Sequence, residues 1–193
     1  MNIRRLLAVM TCLLCMGVWA SADELGNASA HVYLNINPNI SMSAEGTVDG
    51  GTLQTGQASI DILFRIDANT EAVELSAFVS PLFKGNDPAG TEVAPIPVDL
   101  GAGVVMNPTA ANEIQGGDGV AQYLGAAIDP WVAPEGDFPG FETEALVFES
   151  SQNGHFSQDV LVTAAWENTD PEKPQGEYSG YVVLYGGVVE SLP

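Results

Sequence analysis

The segment AHVYLNINPNISMSA, residues 30–44, carries an apolar residue or proline at every even position. Polar residues and Tyr33 occupy the odd positions. Side chains alternate between the two faces of a β-strand, so this period of two predicts a strand with one buried face and one exposed face. Pro38 has no backbone N–H to donate, and we expect it to interrupt the strand near its middle.

The same period predicts further strands along the chain. Residues 58–68 and 73–79 alternate in this way, and the turn residues 67–70 (DANT) between them favour a hairpin. Strands are also expected at 144–149, 156–166 and 177–189. Many short strands separated by turns, with no helical period of 3.6 residues, predict an all-β sandwich.

The middle of the chain gives a weaker pattern. Pro95 and Pro97 reduce residues 92–100 to an edge strand or an irregular one. Residues 101–141 are rich in glycine, proline and alanine, and we interpret them as long loops with one or two short strands.

The first residues have the features of a secretory signal. Arg4 and Arg5 precede an apolar run at 6–19, and the small residues Ala20-Ser21-Ala22 follow it. The run is shorter than the roughly 20 residues of a membrane-spanning helix. We therefore predict a signal peptide at 1–22, export through the inner membrane, and no membrane insertion after its removal. An N-terminal extension at 23–38 and a sandwich domain at 39–193 follow.

The composition limits the kinds of partner that the protein can bind and the means by which its fold is stabilised. Arg65, Lys84 and Lys173 are the only basic side chains after residue 22, against all 25 acids of the chain. Such an acidic protein repels phosphate backbones, so nucleic acid is excluded as a partner. Both cysteines lie before residue 22, so the mature chain depends on its hydrophobic core rather than on disulfides.

The sequence contains no motif that indicates an enzyme, a cofactor site or a transition-metal site. No Gly-x-Ser-x-Gly elbow is present, and the crowding of Ser150, His155 and Asp159 indicates a polar turn rather than a catalytic triad. The acidic loops at 85–87 and 168–170 leave calcium open, although neither follows an ordered ligand pattern.

The alternating segment near the new N-terminus has two interpretations. It is either the first strand of its own sandwich or a donor strand that completes a neighbouring copy. In strand addition, main-chain bonds give affinity and alternate side chains fill pockets. The candidate donor side chains are Val32, Leu34 and Ile36.

Four stretches resemble one protein family in their order and positions. Residues 30–38 (AHVYLNINP) are similar to the mature N-terminus of the major subunits of colonisation-factor fimbriae, the alpha class of chaperone–usher pili. Residues 64–75 (FRIDANTEAVEL) and 93–98 (VAPIPV) resemble the central strands of that family, and 176–184 (GEYSGYVVL) resembles its closing strand.

This resemblance implies an incomplete immunoglobulin-like sandwich that assembles by donor-strand exchange into a fimbrium at the cell surface. It implies a donor-strand role for Val32, Leu34 and Ile36, with the adjoining Pro38. It implies as partners neighbouring copies of the chain, a periplasmic chaperone, an outer-membrane usher and a possible surface receptor. The region 101–141 diverges from the family. An alternative function is a monomeric secreted module that binds carbohydrate through Trp131, Phe138 and Phe141; aromatic residues in this setting also commonly plug the end of a sandwich.

Overall fold

The computed structural model describes residues 33–114 and 117–189. The signal segment 1–22 and Val32 lie outside the described residues. The chain divides into two compact units, Met1–Ile36 and Asn37–Pro193. In the described part of the first unit, residues 33–36 form no strand.

The described part of the second unit is all-β, which confirms the predicted fold class. Its strands in chain order are β1 (Ile40–Ala44), β2 (Gly56–Ala68), β3 (Ala72–Val79), β4 (Phe83–Lys84), β5 (Val104–Pro108), β6 (Ala111–Glu113), β7 (Val120–Ala121), β8 (Ile128–Ala133), β9 (Gly136–Glu142), β10 (Leu146–Ser150), β11 (Phe156–Asn168), β12 (Tyr178–Ser179) and β13 (Val182–Val188). No helix in residues 33–114 and 117–189 is long and apolar enough to cross a membrane.

Two main antiparallel sheets form the sandwich. The first sheet has the order β1-β2-β11-β5-β7, and β2 pairs with β11 along its whole length. In the second sheet β3 is central: β13 pairs along one side of it, and β10 and β9 share the other side. β6 continues the sheet from β10, and β8 continues it from β9. A short third pair joins β4 to β12.

The core lies between these two sheets and follows from the period of two. Alternate residues of β2, β3 and β11 face each other across it, as do single residues from the shorter strands. The Trp166 side chain is 2% exposed, and its indole Nε1 donates a hydrogen bond of 2.8 Å to the Ser80 carbonyl oxygen. Other large buried members of the main core include Phe64, Ile66, Val73, Leu75, Met106, Phe148, Phe156 and Val160.

The predicted hairpin at 58–79 is wrong. β2 pairs with β1 and β11, whereas β3 pairs with strands of the opposite sheet. The turn at 67–70 therefore carries the chain from one sheet to the other. Each strand buries one apolar face. Two strands that face each other across the core bury these faces as fully as two strands that pair side by side.

The middle of the chain contains more strand than the sequence indicated. Residues 101–141 include β5 to β9, so their interpretation as long loops is wrong. These strands are short, and β5, β8 and β9 each contain proline, which hides their period. Residues 92–100 form only isolated bridges, from Ile96 to Leu82 and from Val98 to Trp166, as the two prolines led us to expect.

The first predicted strand is shorter than its alternating pattern. Only residues 40–44 of the stretch 30–44 form a strand among the described residues, since 33–39 form none. Pro38 accounts for the boundary because it cannot donate to a β-ladder.

Candidate functional site

One long edge of the second sheet is open. Within the described residues, β13 has β3 as its only strand partner. The Ser80 amide donates to the Tyr181 carbonyl (2.9 Å), and the Val189 amide donates to the Ala72 carbonyl (3.2 Å). Hydrogen-bonding direction alternates along an antiparallel strand. The even-numbered residues of Val182–Val188 therefore point their backbone N–H and C=O groups away from β3.

This edge lacks the features that usually prevent further pairing. Natural edge strands are shortened, bulged, or protected by charged residues and proline. β13 (VVLYGGV) has seven residues with neither a charge nor a proline. By contrast, β8 carries Asp129 and Pro130 and has a register shift, and β7 has only two residues. The β13 edge is thus the least protected long edge among the described strands.

The end strand of the first sheet lies beside this edge. A Cβ atom added to Gly186 would lie 2.7 Å from the Met42 sulfur and 3.1 Å from Ile40 Cδ1. No strand pairing joins β1 to β13 in the part of the chain that the structure describes. The two sheets therefore meet here through side chains alone.

The meeting of these two edges forms an apolar seam. We define the open seam as the outer edge of β13, Val182–Val188, together with Ile40 and Met42 of β1. Ile40, Val182 and Val188 are half-buried and pack against the main core, and Met42 is 38% exposed. Because β1 and β13 contain no charged residue, an added apolar strand would meet no buried charge here.

The predicted donor residues that the structure describes are exposed. Leu34 and Ile36, in the first unit, are 88% and 85% exposed. Pro38, in the second unit, is also exposed and precedes β1. Val32 lies outside the described residues. Two large apolar side chains in one short segment thus retain almost their full contact with solvent.

The crowded polar residues near 150–159 belong to separate local contacts. The exposed His155 ring bonds through Nδ1 to the Asn153 carbonyl oxygen at 3.0 Å. The Ser150 hydroxyl accepts the Gln152 amide at 3.0 Å, and Asp159 lies 3.5 Å from the Arg65 guanidinium. In the described residues, no hydrogen bond links Ser150, His155 and Asp159 to one another.

Arg65 anchors a polar network on the outer face of the first sheet. Its guanidinium donates to the Asp67 carboxylate at 2.8 Å and to the Ser157 hydroxyl at 2.7 Å. The Ser157 hydroxyl in turn donates to Asp67. The bond from Arg65, followed by that from Ser157, lowers the pKa of Asp67 below its ordinary value. Both charged groups are well exposed, so this network does not form an enclosed site.

The three aromatic residues of the alternative function do not share one exposed surface. Phe138 is fully buried and packs edge-to-face on Phe83 (5.6 Å between ring centres) and on Tyr181 (4.8 Å). Phe141 is half-buried against the main core, and Trp131 is half-buried on β8. Phe138 is therefore unable to serve as a face on which a sugar stacks.

The acidic loops that left calcium open form local turn contacts. The Asp87 carboxylate accepts the Ala89 amide at 3.0 Å, and the Asp170 carboxylate accepts the Glu172 amide at 2.9 Å. Across residues 33–114 and 117–189, no three His, Cys, Asp or Glu side chains are grouped to hold a metal ion.

No protein-family model matches the chain, and comparison with curated proteins gives no significant match. The open seam was not identified in the sequence, although one signal of it was present. Between Glu177 and Glu190 the chain carries no charge and no proline, which is unusual for a strand that ends a sheet.

Proposed function

We propose that this chain is a structural subunit of a surface fimbrium whose subunits join by strand addition. The observation that carries the proposal is the unprotected edge of β13, with seven uncharged residues and outward-facing backbone groups. An extended segment from a second copy would satisfy those groups with a β-ladder and cover the apolar seam.

The N-terminal segment has the pattern that such an edge requires. Residues 32–36 fit within the seven-residue edge of β13, and their apolar side chains alternate. Leu34 and Ile36 are exposed in the single chain, so burial in a joint would remove most of their apolar surface from water. Covering Val32, Leu34 and Ile36 at roughly 1.5–3 kcal/mol each would contribute about 5–9 kcal/mol before any backbone bonds.

The strand order supports an immunoglobulin-like sandwich that lacks one strand. In such a sandwich, strands A, B, E and D form one sheet, and C, F and G form the other. We assign β1-β2-β11-β5 to A, B, E and D, and β3 and β13 to C and F. The position of strand G, beside F, is then the outer edge of β13, where the donated strand would lie.

The proposal extends to the route of assembly. An uncharged open edge promotes association with other strands before the correct partner arrives. The proposed fimbrial subunit would therefore cross the periplasm with a chaperone that covers the open seam, and an outer-membrane usher would exchange that cover for a neighbouring copy. This route requires the signal peptide at 1–22 and places the assembled chain at the cell surface.

A competing peptide tests the joint on the full-length chain. We expect the exported protein to form multimers, and a synthetic peptide of residues 28–39 in excess should shorten them by occupying free seams. The same peptide with Leu34→Asp is the matched control and should have no effect. Analytical ultracentrifugation measures the size distribution.

A stable monomer whose melting temperature does not change with the peptide would contradict the proposal. That result would favour the monomeric binding module, which glycan-array binding of the same monomer would then test.

A further inference from the structure

The start of β1 is held by the side chain of one residue, Asn69, in the turn between β2 and β3. The Asn69 side-chain oxygen accepts the Asn39 amide at 2.6 Å. Its side-chain nitrogen donates to the Asn37 carbonyl oxygen at 3.0 Å. The Asn69 backbone amide adds a third bond, to the Asn39 carbonyl oxygen, at 3.2 Å.

These bonds replace the ladder that Pro38 interrupts. Proline supplies no backbone donor, so a regular strand cannot continue through residue 38. An asparagine side chain carries both an acceptor and donors on one planar group. In this position the Asn69 side chain bonds to Asn37 and Asn39, on both sides of the proline.

The three bonds coincide with a boundary in the chain. The boundary between the compact units lies between Ile36 and Asn37, and Asn37 is the first residue that Asn69 binds. Leu34 and Ile36 lie before this point and are almost fully exposed. Pro38 lies after this point, between the two residues that Asn69 binds.

We propose that Asn69 is a positioning residue that fixes where the donated segment ends and the subunit's own fold begins. This inference rests on the proposed strand addition. It divides the candidate donor residues: Val32, Leu34 and Ile36 enter the neighbour, and Pro38 stays with its own subunit. The clamp, defined as Asn69 with residues 37–39, then sets the length of chain between joint and body, and with it the stiffness of the filament.

Amide hydrogen exchange of the full-length chain tests the clamp directly. Asn69→Ala removes the acceptor of the Asn39 amide, whose exchange should accelerate about tenfold, the effect of one typical hydrogen bond. Amides in the β2–β11 ladder should exchange as before. Asn107→Ala, at another exposed asparagine, on β5, is the control and should leave Asn39 protected.

A second variant separates the two side-chain bonds. Asn69→Asp keeps an acceptor for the Asn39 amide and loses the donor to Asn37. Asn39 should stay protected, while the NMR order parameter of Asn37 should fall. Unchanged exchange at Asn39 in Asn69→Ala would overturn the clamp, as would equal acceleration throughout β2 and β11, which would indicate general destabilisation.

Filament stiffness links the clamp to assembly. Asn69→Ala should give filaments in normal yield that bend more in electron micrographs, since the joint is intact and the connection is longer. Normal stiffness with faster exchange at Asn39 would overturn the proposed mechanical role. If the unmodified chain forms no filaments, the strand-addition proposal fails, and the exchange measurements still decide whether Asn69 clamps residues 37–39.

Discussion

Two end strands of the second sheet, β8 and β13, differ in their protection. At one end, β8 is interrupted by Pro130, carries Asp129 and has an irregular register, so a further strand would pair with it poorly. At the other end, β13 runs for seven residues without charge or proline. The proposed assembly rests on this contrast: the protected edge of β8 disfavours a further strand, and the open edge of β13 accepts one.

The largest expected effect comes from a charge in the donor segment. Leu34→Asp should abolish assembly, because burying a carboxylate in an apolar seam costs several kcal/mol against a gain of about 5–9 kcal/mol. The monomer should melt within about 2 °C of the unmodified chain, since this side chain is 88% exposed. Ultracentrifugation and thermal melting measure the two effects.

Asn35→Asp is the matched control, with the same charge on the opposite face of the donor. It should assemble normally. Equal loss of assembly in both variants would mean that charge repulsion, rather than the filling of the seam, decides the outcome.

A comparison of the two edges gives the next largest effect. Val188→Lys puts a charge on the half-buried side of β13 and should weaken assembly by about tenfold or more. It should cost the monomer only about 1–2 kcal/mol, because the lysine stem still covers apolar surface. Val132→Lys, at a 75% exposed position on β8, should change neither property. Equal weakening by both lysines would show that the two edges do not differ in function.

The hairpin of β8 and β9 offers a test of stability alone. Phe138→Ala should lower the free energy of unfolding by about 3–5 kcal/mol, because the ring is fully buried. Trp131→Ala, at a half-buried position, should lower it by only about 1–2 kcal/mol. Urea denaturation measures both. Loss of glycan binding in a stable Trp131→Ala monomer would instead favour the carbohydrate-binding function.

The smallest effect concerns pH. The contacts with Arg65 and Ser157 lower the pKa of Asp67, so they stabilise the fold above the ordinary aspartate pKa. This contribution is lost as the pH falls through the lowered value in the folded state. Arg65→Gln should therefore make stability fall less steeply in acid. Lys84→Gln removes the same charge elsewhere and should keep the original slope in pH-dependent melting.

The sequence predicted the fold class because alternation survives wherever a strand is long and buried on one face. β2 and β11 are the clearest cases, and they form the longest pairing of the sandwich. The pairing of strands was harder to predict. The turn at 67–70 has the composition of a hairpin, but it connects opposite sheets, and local turn chemistry does not determine which sheet a strand joins.

The candidate site was only partly predictable for the same reason. The donor pattern of Leu34 and Ile36 is local and visible in the sequence. The open seam depends on β13 being last in its sheet, a property of topology. The clamp depends on Asn69, which is 30 residues from the Asn39 amide that it binds.

The short ladder of β1 has a mechanical consequence. In a filament under tension, the pull on each subunit would enter through the chain at residue 37 and act first on the clamp and on the five residues of β1. Four of these five residues are exposed, whereas the proposed joint would bury Val32, Leu34 and Ile36 in addition to forming a ladder. β1 would therefore detach from β2 before neighbouring subunits separate, and each detached residue would release up to about 3.3 Å of chain. The fibre would lengthen under load and recover on release, so that a brief strong pull would stretch the filament before it broke it.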